Sequence, residues 1–374
     1  ICSTATIRSY ERQVKDLYNR NNVRLFPPLG LDIADNFFAI YKKDENTDEF
    51  KNPKKYIGLL TPNYKSQQTA QVRIYSRLLY SVTKLKKEDQ DPWYTLMNFF
   101  GSLRELGNTT TLIQVDIKER IKDLRKRYGD DYKDIRTINN VLELTSRISS
   151  EKIPSSIDKL EISVDPDKKN YPIDICLASN IIEVGIDIDR LSLLTILGQP
   201  KTTSSYIQVS GRIGRNWQER PGIVCTLYGY MRPRDKSHFE KFKSYHQKLY
   251  AQVEPMSVTP FASPVLTRAL HGILVAYVRS FGNRNITNNP TPFPENLINQ
   301  FYEILTSRIE NIDENEKKNF QKIFDKICNE WKIWEHDSYK KEFGETSEGL
   351  MHQAGSYIDK EFDNYSWETP NTMR

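Results

Sequence analysis

Residues 173–197 read IDICLASNIIEVGIDIDRLSLLTIL. Two apolar runs in this stretch, Ile173–Ala178 and Leu191–Leu197, have the length and composition of buried strands. Gly185, between them, permits a close backbone approach, and Asp187 follows at the rim of the predicted sheet, where α/β folds bind ligands. The stretch therefore predicts an α/β fold with a ligand site beside Asp187.

Strand and helix patterns alternate on both sides of this stretch, from Lys54 to Asp235, which is typical of a parallel sheet covered by helices. Further strands are predicted at Tyr56–Leu60, Val141–Leu144 and Gly222–Tyr228. Helices are predicted at Thr69–Lys87, Pro154–Leu160 and Tyr206–Ile213.

Residues 88–140 interrupt the alternation. Apolar side chains between Trp93 and Leu106 recur at helical spacing up to Gly107, and a charged helix is predicted over Lys118–Tyr128. We therefore predict a helical insertion at 88–140. A long basic helix is predicted over 235–253, and the pattern after Pro255 favours helices only.

Composition excludes several classes of protein. The chain has 374 residues, of which 28% are charged and 11% aromatic, and no apolar run approaches the ~20 residues of a membrane-spanning helix. Its four cysteines form no C-x-x-C pair, which favours core thiols in a reduced cytoplasmic protein: Cys2, Cys176, Cys225 and Cys328. Because the first residue is Ile1, we expect the chain to begin inside a longer protein.

A second motif follows the first, in the part of the chain with the strongest positive charge. Residues 208–215 read QVSGRIGR, and residues 201–250 hold ten Lys/Arg against three Asp/Glu, a net charge of +7. Arg212 and Arg215, three positions apart, share one face of a helix end, where paired guanidinium groups suit bidentate phosphate binding. A G-x-D turn by itself is common, and a G-R-x-G-R segment by itself is often a solvated helix face. The two motifs in this order, separated by one strand, are hard to explain by chance.

These two stretches resemble motifs V and VI of superfamily 2 helicases, and Ser3-Thr4-Ala5-Thr6 is similar to motif III, which joins the two RecA-like lobes of those enzymes. Seven further segments resemble the DrmA helicases of the DISARM phage-defence systems: Phe26–Asp32, Ser102–Gly107, Leu144–Arg147, Gly198–Thr202, Arg232–Asp235, Ser257–Phe261 and Trp367–Arg374. The resemblance covers nearly the whole chain.

The resemblance implies a RecA-like parallel-sheet C-terminal lobe at 54–254, with the helical insertion, followed by a mainly helical accessory region at 255–374. Residues 1–53 would be the end of the first lobe and the linker between lobes. The sequence contains no G-x-x-x-x-G-K-[ST] phosphate loop and no acidic box after an apolar strand. We therefore expect those parts, with the Mg²⁺ ligands, in an N-terminal lobe that is missing here.

The same resemblance assigns roles in ATP hydrolysis. Arg215 would be the arginine finger that stabilises charge on the γ-phosphate, and Arg212 would assist it. Gln208 would hydrogen-bond near the phosphates or across the cleft. Asp187 would approach the ribose hydroxyls or the finger, while Gly185 lets the backbone reach the nucleotide. Residues 3–6 would couple hydrolysis to lobe motion, and the chain alone is expected to be inactive.

Nucleic acid is expected at the ends of strands, held by phosphate contacts from small polar groups and one arginine. The candidates are Thr61, Thr145, Ser146, Arg147, Ser179 and Asn180. Each hydroxyl could equally cap a helix or a turn. The resemblance implies DNA as the strand and a DrmB-like defence subunit as a partner, although the residues themselves do not distinguish DNA from RNA.

Other classes of site find little support in the sequence. His238 and His246 lie about two helical turns apart without a carboxylate or cysteine at ligand spacing, so no metal site is predicted. No nucleophilic triad and no nuclease-type carboxylate pair is evident. The competing hypothesis is a non-catalytic nucleic-acid-binding scaffold that retains a degenerate helicase lobe. The presence of Gln208, Arg212 and Arg215 argues against such degeneration.

Overall fold

A computed structural model describes residues 4, 6–28, 35, 37–63, 66–129, 136–145, 147–148, 152–164, 172–179, 187–255, 258–309, 314–340, 349–354 and 365–370. By their contacts the residues divide into two compact units. One unit comprises residues 1–8 and 26–255, and the other comprises residues 9–25 and 256–374. The segment 1–53 is thus shared between the two units.

The first unit is built on a parallel sheet. Its strands are β1 (Lys55–Leu60), β2 (Leu96–Phe100), β3 (Val141–Leu144), β4 (Ile175–Ala178), β5 (Leu193–Leu197) and β6 (Ile223–Tyr228). They are hydrogen-bonded in the order β1-β6-β5-β2-β4-β3, and every neighbouring pair is parallel. The predicted α/β class is confirmed, and all carboxyl ends of these strands lie at one edge of the sheet.

Both faces of this sheet are buried under helices. In β4, Cys176 and Ala178 enter one apolar core, whereas Ile175 and Leu177 enter the core on the opposite face. Continuous apolar strands of this kind are typical of parallel sheets. The flanking helices are α2 (Gln67–Val82), α3 (Asp91–Tyr94), α4 (Leu103–Leu112), α5 (Lys118–Tyr128), α6 (Lys152–Glu161), α7 (Thr203–Ser210), α8 (Pro233–Glu240) and α9 (Phe242–Gln247), with α1 (Tyr10–Tyr18) in the second unit.

The prediction of a helix between Trp93 and Leu106, within a helical insertion at 88–140, is wrong. Leu96–Phe100 is a central strand of the sheet, paired with both β4 and β5, and all five residues are buried. A strand buried on both faces has no period-two alternation, so its short apolar run cannot be distinguished from a helix by periodicity. Gly107 lies inside α4 rather than ending a helix, while the charged helix over Lys118–Tyr128 is confirmed.

The single basic helix predicted over 235–253 is also wrong. The chain forms α8 and α9 and then a 3₁₀ turn at Leu249–Gln252, with breaks at Lys241 and Lys248. These breaks allow Tyr245 and Leu249 both to enter the apolar core beside the sheet. Packing on the sheet therefore overrides the helical propensity of this segment.

The second unit is mainly helical, but the expectation of helices only after Pro255 is wrong. Its helices are α10 (Ser263–Phe281), α11 (Arg284–Asn288), α12 (Glu295–Ile309) and α13 (Glu314–Trp334). Three short parallel strands accompany them: β7 (Ser338–Lys340), β8 (Gly349–His352) and β9 (Trp367–Glu368). Buried histidines fix the last strand, since His271 Nε2 donates to the carbonyl oxygen of Glu368 at 2.8 Å.

Across the ranges that the structure describes, no helix combines the length and apolar character needed to cross a membrane. Cys176 and Cys225 are buried thiols that form no disulfide, as the sequence predicted.

Candidate nucleotide site

Asp187 and the two arginines of residues 208–215 meet in one cluster. Arg212 Nη1 lies 2.7 Å from Asp187 Oδ1, and Arg215 Nη1 lies 2.9 Å from Asp187 Oδ2. Arg212 thus donates a charge-assisted hydrogen bond to one carboxylate oxygen, and Arg215 forms an ion pair with the other. The side chains of Asp187 and Arg215 are 45% and 39% exposed, so solvent and ligands can reach the cluster.

A tight turn after α7 positions these arginines. Gly214 has φ +64°, and its N–H donates to the carbonyl oxygen of Leu191 at 2.8 Å, just before β5. A Cβ atom on Gly214 would lie 2.5 Å from the Cα of Gly222. Only glycine fits at this contact, and the turn is held against the start of both β5 and β6.

The cluster lies at the amino-terminal edge of the sheet. The turn at Gly214 is bonded to Leu191, which precedes β5, and packs on Gly222, which precedes β6. The sequence predicted a site at the rim beside Asp187, by analogy with α/β folds that bind ligands beyond the carboxyl ends of their strands. The structure places Asp187 at the opposite edge, because the turn at Gly214 that carries its arginine partners is bonded before β5, so this analogy is wrong.

Gln208 connects the cluster to the start of the chain. Its Nε2 atom donates to Thr6 Oγ1 at 3.2 Å, so the segment similar to motif III contacts the segment similar to motif VI. Thr4 is exposed and its hydroxyl accepts the N–H of Thr6. The other three predicted residues of these motifs, Ser3, Ala5 and Gly185, lie outside the described residues.

Lys54 is a member of the cluster that the sequence analysis missed. Its Nζ atom donates to the carbonyl oxygen of Ser210, the last residue of α7, at 2.7 Å. Burial and the positive charge of Arg215 lower the pKa of Lys54 to about 8. The sequence carries no signal for this residue, because it is one of two adjacent lysines before a strand and only the fold brings it to α7.

The predicted nucleic-acid residues lie at the opposite edge of the sheet. Thr61, Thr145 and Ser179 directly follow β1, β3 and β4, at the carboxyl ends of these strands. With strands of about five residues, the two edges are about 16 Å apart. Arg147 is exposed at this edge, whereas Ser146 and Asn180 lie outside the described residues.

The hydroxyl of Thr145 has a structural role. Thr145 is fully buried, its Oγ1 donates to Glu143 Oε1 at 2.7 Å, and it accepts the N–H of Arg147 at 3.3 Å. This is the turn-forming role that the sequence left open for each hydroxyl. Its contribution at this edge is therefore to orient the backbone that carries Arg147.

Further groups missed by the sequence analysis organise the carboxyl edge. The buried carboxylate of Asp235 accepts the N–H of Gln199 at 2.9 Å and that of Gly229 at 2.8 Å, which fixes the loops after β5 and β6. Arg232, in the second loop, forms an ion pair with Glu105 in the first turn of α4. Exposed basic residues also follow β2, β5 and β6 at this edge: Arg104, Lys201 and Arg234, respectively.

The described residues contain no group of three or more His, Cys, Asp or Glu side chains that could hold a metal ion. The acidic residue of the nucleotide cluster, Asp187, is occupied by two arginines. The geometry of this cluster suits an anion rather than a cation.

The fold and the cluster agree with a comparison against family models. Residues 102–216 match the helicase conserved C-terminal domain, a range that runs from the start of α4 through both arginines. This stretch of the chain is therefore similar to the C-terminal domain of helicases.

Among characterised proteins the chain is similar to the DISARM protein DrmA of Bacillus paralicheniformis, with 43% identity over 284 residues. That match covers 75% of this chain and 24% of the relative. It is also similar to the ATP-dependent helicase Lhr-Core of Methanocaldococcus jannaschii, with 26% identity over 124 residues, 30% of this chain and 15% of the relative. The chain thus spans about a quarter or less of the length of these relatives.

Among solved structures, the helicase Lhr of Mycobacterium smegmatis bound to single-stranded DNA and AMP-PNP matches 61% of this chain and 26% of its own, with 14% identity and a TM-score of 0.39.

Proposed function

We propose that this chain is the C-terminal motor half of an ATP-dependent DNA helicase or translocase that acts in anti-phage defence in the cytoplasm. The observation that carries the proposal is the convergence of Arg212 and Arg215 on the carboxylate of Asp187 at an exposed edge of the lobe. Arg215 is the arginine finger, and Arg212 assists it. The nucleotide's triphosphate is gripped on its other side by a lobe that contains the phosphate loop.

The Asp187 carboxylate stands where a phosphate group would lie. Both groups present a pair of anionic oxygens that can accept N–H donors from guanidinium groups. An exposed ion pair contributes at most about 1 kcal/mol, so a phosphate can take over one arginine at little cost. Asp187 can then turn its freed oxygen toward the ribose hydroxyls.

The fit of the site to its cofactor is partial, as expected for one half of a cleft. Arg212, Arg215 and Lys54 supply positive charge for ATP, which provides the chemistry of phosphoryl transfer when bound. The described residues contain no cluster of acidic side chains for Mg²⁺. We assign the Mg²⁺ ligands to the N-terminal lobe that contains the phosphate loop. The hydrogen bond between Gln208 and Thr6 joins α7, the helix that precedes Arg215, to the segment between the lobes, and this link couples hydrolysis to lobe movement.

The nucleic-acid strand crosses the carboxyl edge. Exposed basic residues follow several strands there, and backbone N–H groups and hydroxyls at strand ends suit contact with phosphates of any sequence. The separation of about 16 Å between the edges keeps the two sites distinct, so that ATP acts on the strand through the position of the lobe. We also propose DNA as the strand and a DrmB-like subunit as a partner, which is what the resemblance of the sequence motifs implies.

Arg147→Ala tests the assignment of the carboxyl edge. Loss of one phosphate contact is expected to weaken single-stranded DNA binding by the chain about three- to tenfold and to reduce the slope of log K against log salt by about 0.7. The measurement is fluorescence anisotropy with a labelled oligonucleotide at four salt concentrations. The loss is expected to be equal for oligonucleotides of different sequence.

The matched control is Lys122→Ala, which removes an exposed cation from α5 on the face of the sheet. It is expected to leave the affinity and the salt slope unchanged. Equal losses in both variants would mean that the chain binds DNA through its overall charge, and the carboxyl edge would lose its assignment.

A further inference from the structure

Lys54 is bonded to the end of α7, the helix that directly precedes the two arginines. Its ammonium group donates to the carbonyl oxygen of Ser210 at 2.7 Å. The last carbonyl groups of a helix lack partners within the helix and carry its negative partial charge, so a cation there is stabilising. Two residues later, in β1, the Tyr56 hydroxyl donates to Ser210 Oγ at 3.4 Å. Lys54 and the first residues of β1 thus hold the end of α7 by two hydrogen bonds.

Lys54 also lies against the turn between the two arginines. Its Cε atom lies 3.8 Å from the point where a Cβ on Gly214 would stand, so the lysine stem lies beside this turn. Arg215, the next residue, acts on Lys54 by charge repulsion. The lysine is therefore bonded before Arg212, at Ser210, and lies beside the chain after it, at Gly214.

We infer that Lys54 is a positioning residue of the nucleotide site, which holds the end of α7 and the Gly214 turn where Arg212 and Arg215 converge and adds a third positive charge beside the phosphate. This inference rests on the proposed function, because it presupposes that the arginine cluster binds ATP. The lysine acts through the arginines and needs no contact with the nucleotide.

The charge on Lys54 makes the site sensitive to pH. Because its pKa is lowered to about 8, the ammonium group loses its proton between pH 7 and pH 9. The unfolded chain keeps this lysine protonated up to the ordinary value of 10.5, so Lys54 does not destabilise the fold as the pH rises through this window. A loss of phosphate affinity over the same window is therefore not caused by an effect of Lys54 on folding stability.

Among the described residues, the charged group that acts directly on Lys54 is Arg215, and Asp187 faces that arginine from the segment before β5. Tyr56 shares Ser210 with Lys54, and burial raises the pKa of that tyrosine above its usual value of 10.0, which is outside the window. Of these four residues, Lys54 is the one whose pKa lies between pH 7 and pH 9.

The test is the affinity of the chain for ATP at pH 7.5 and pH 9.0, measured without Mg²⁺ by isothermal titration calorimetry. The terminal phosphate is essentially fully ionised at both values. For the unmodified chain we expect the dissociation constant to rise about five- to tenfold at pH 9.0, the effect of removing one partly screened charge. Lys54→Met should bind ATP at both pH values as weakly as the unmodified chain does at pH 9.0.

Lys54→Arg is the decisive variant. Arginine stays charged at both pH values, so it should restore the affinity at pH 7.5 and abolish the loss at pH 9.0. Lys55→Met, which removes the adjacent exposed lysine, should behave like the unmodified chain. The unmodified pH response in Lys54→Arg, or full affinity in a folded Lys54→Met, would overturn the inference.

Arg215→Ala separates this inference from the proposed function. If Arg215→Ala loses ATP affinity while the Lys54 variants do not, the inference fails and the nucleotide site stands. If Arg215→Ala binds ATP as the unmodified chain does, or if the chain shows no binding of ATP, the proposed function fails at this site and the role of Lys54 fails with it.

Discussion

Arg215→Ala is expected to lower the rate of ATP hydrolysis at least about 10³-fold in a protein in which a phosphate-loop lobe precedes this chain, here called the two-lobe protein. Arg215 reaches the site from a fixed turn and holds one oxygen of Asp187 at 2.9 Å, where it can bind an anion instead. An alanine leaves the charge that develops on the γ-phosphate without its donor. The measurement is steady-state phosphate release at saturating ATP and DNA.

DNA affinity should change by less than about threefold in this variant, because the cluster lies about 16 Å from the carboxyl edge. Arg220→Ala is the matched control, since Arg220 lies in the same segment between α7 and β6 but forms its ion pair with Glu219 and not with Asp187. It should retain most of the ATPase rate. A variant Arg215→Ala that loses DNA binding and keeps its ATPase rate would reverse the roles assigned here and favour the scaffold hypothesis.

Gly214→Ala is expected to have the largest effect on stability, with a loss of roughly 2–4 kcal/mol in the free energy of unfolding of the first unit. The new methyl group meets the Cα of Gly222 at 2.5 Å, and φ is +64°, where a side chain adds strain. Relief of the contact must move the turn away from β6 and carry Arg215 with it. Urea denaturation followed by circular dichroism measures the loss.

Gly107→Ala provides the control for the same change. Gly107 lies in α4 with no atom within 4 Å of its Cβ position, so alanine should stabilise the helix by about 0.5–1 kcal/mol. Opposite signs for the two variants are the expected result. Equal, small effects would mean that the turn at Gly214 is not packed on Gly222 as described.

The long apolar runs of the sequence were sufficient to identify the strands Leu193–Leu197 and Ile223–Tyr228, which are bounded by glycines or polar turns. The helix predicted to carry Arg212 and Arg215 on one face ends instead at Ser210, and a turn at Gly214 brings both arginines to Asp187. Leu96–Phe100 could not be assigned in this way, because burial on both faces removes the alternation that distinguishes a strand.

The parts of the site that depend on tertiary contacts were not predictable. Lys54 is more than 150 residues from Ser210 and meets it only because β1 pairs with β6 at the edge of the sheet. Asp235 reads as an exposed residue of a basic helix, yet it is buried and fixes two loops. The strands after Pro255 have two to four residues, too few for a periodic pattern, and their pairing is set by contacts such as that of His271 with Glu368.

The most direct measurement of the central claim is a crystal structure of the two-lobe protein with a non-hydrolysable ATP analogue and Mg²⁺. The predicted result is an Arg215 guanidinium within about 3 Å of a γ-phosphate oxygen, with at least one of its contacts to Asp187 exchanged for the nucleotide. A nucleotide bound elsewhere, with Arg212 and Arg215 both still on the Asp187 carboxylate, would contradict it.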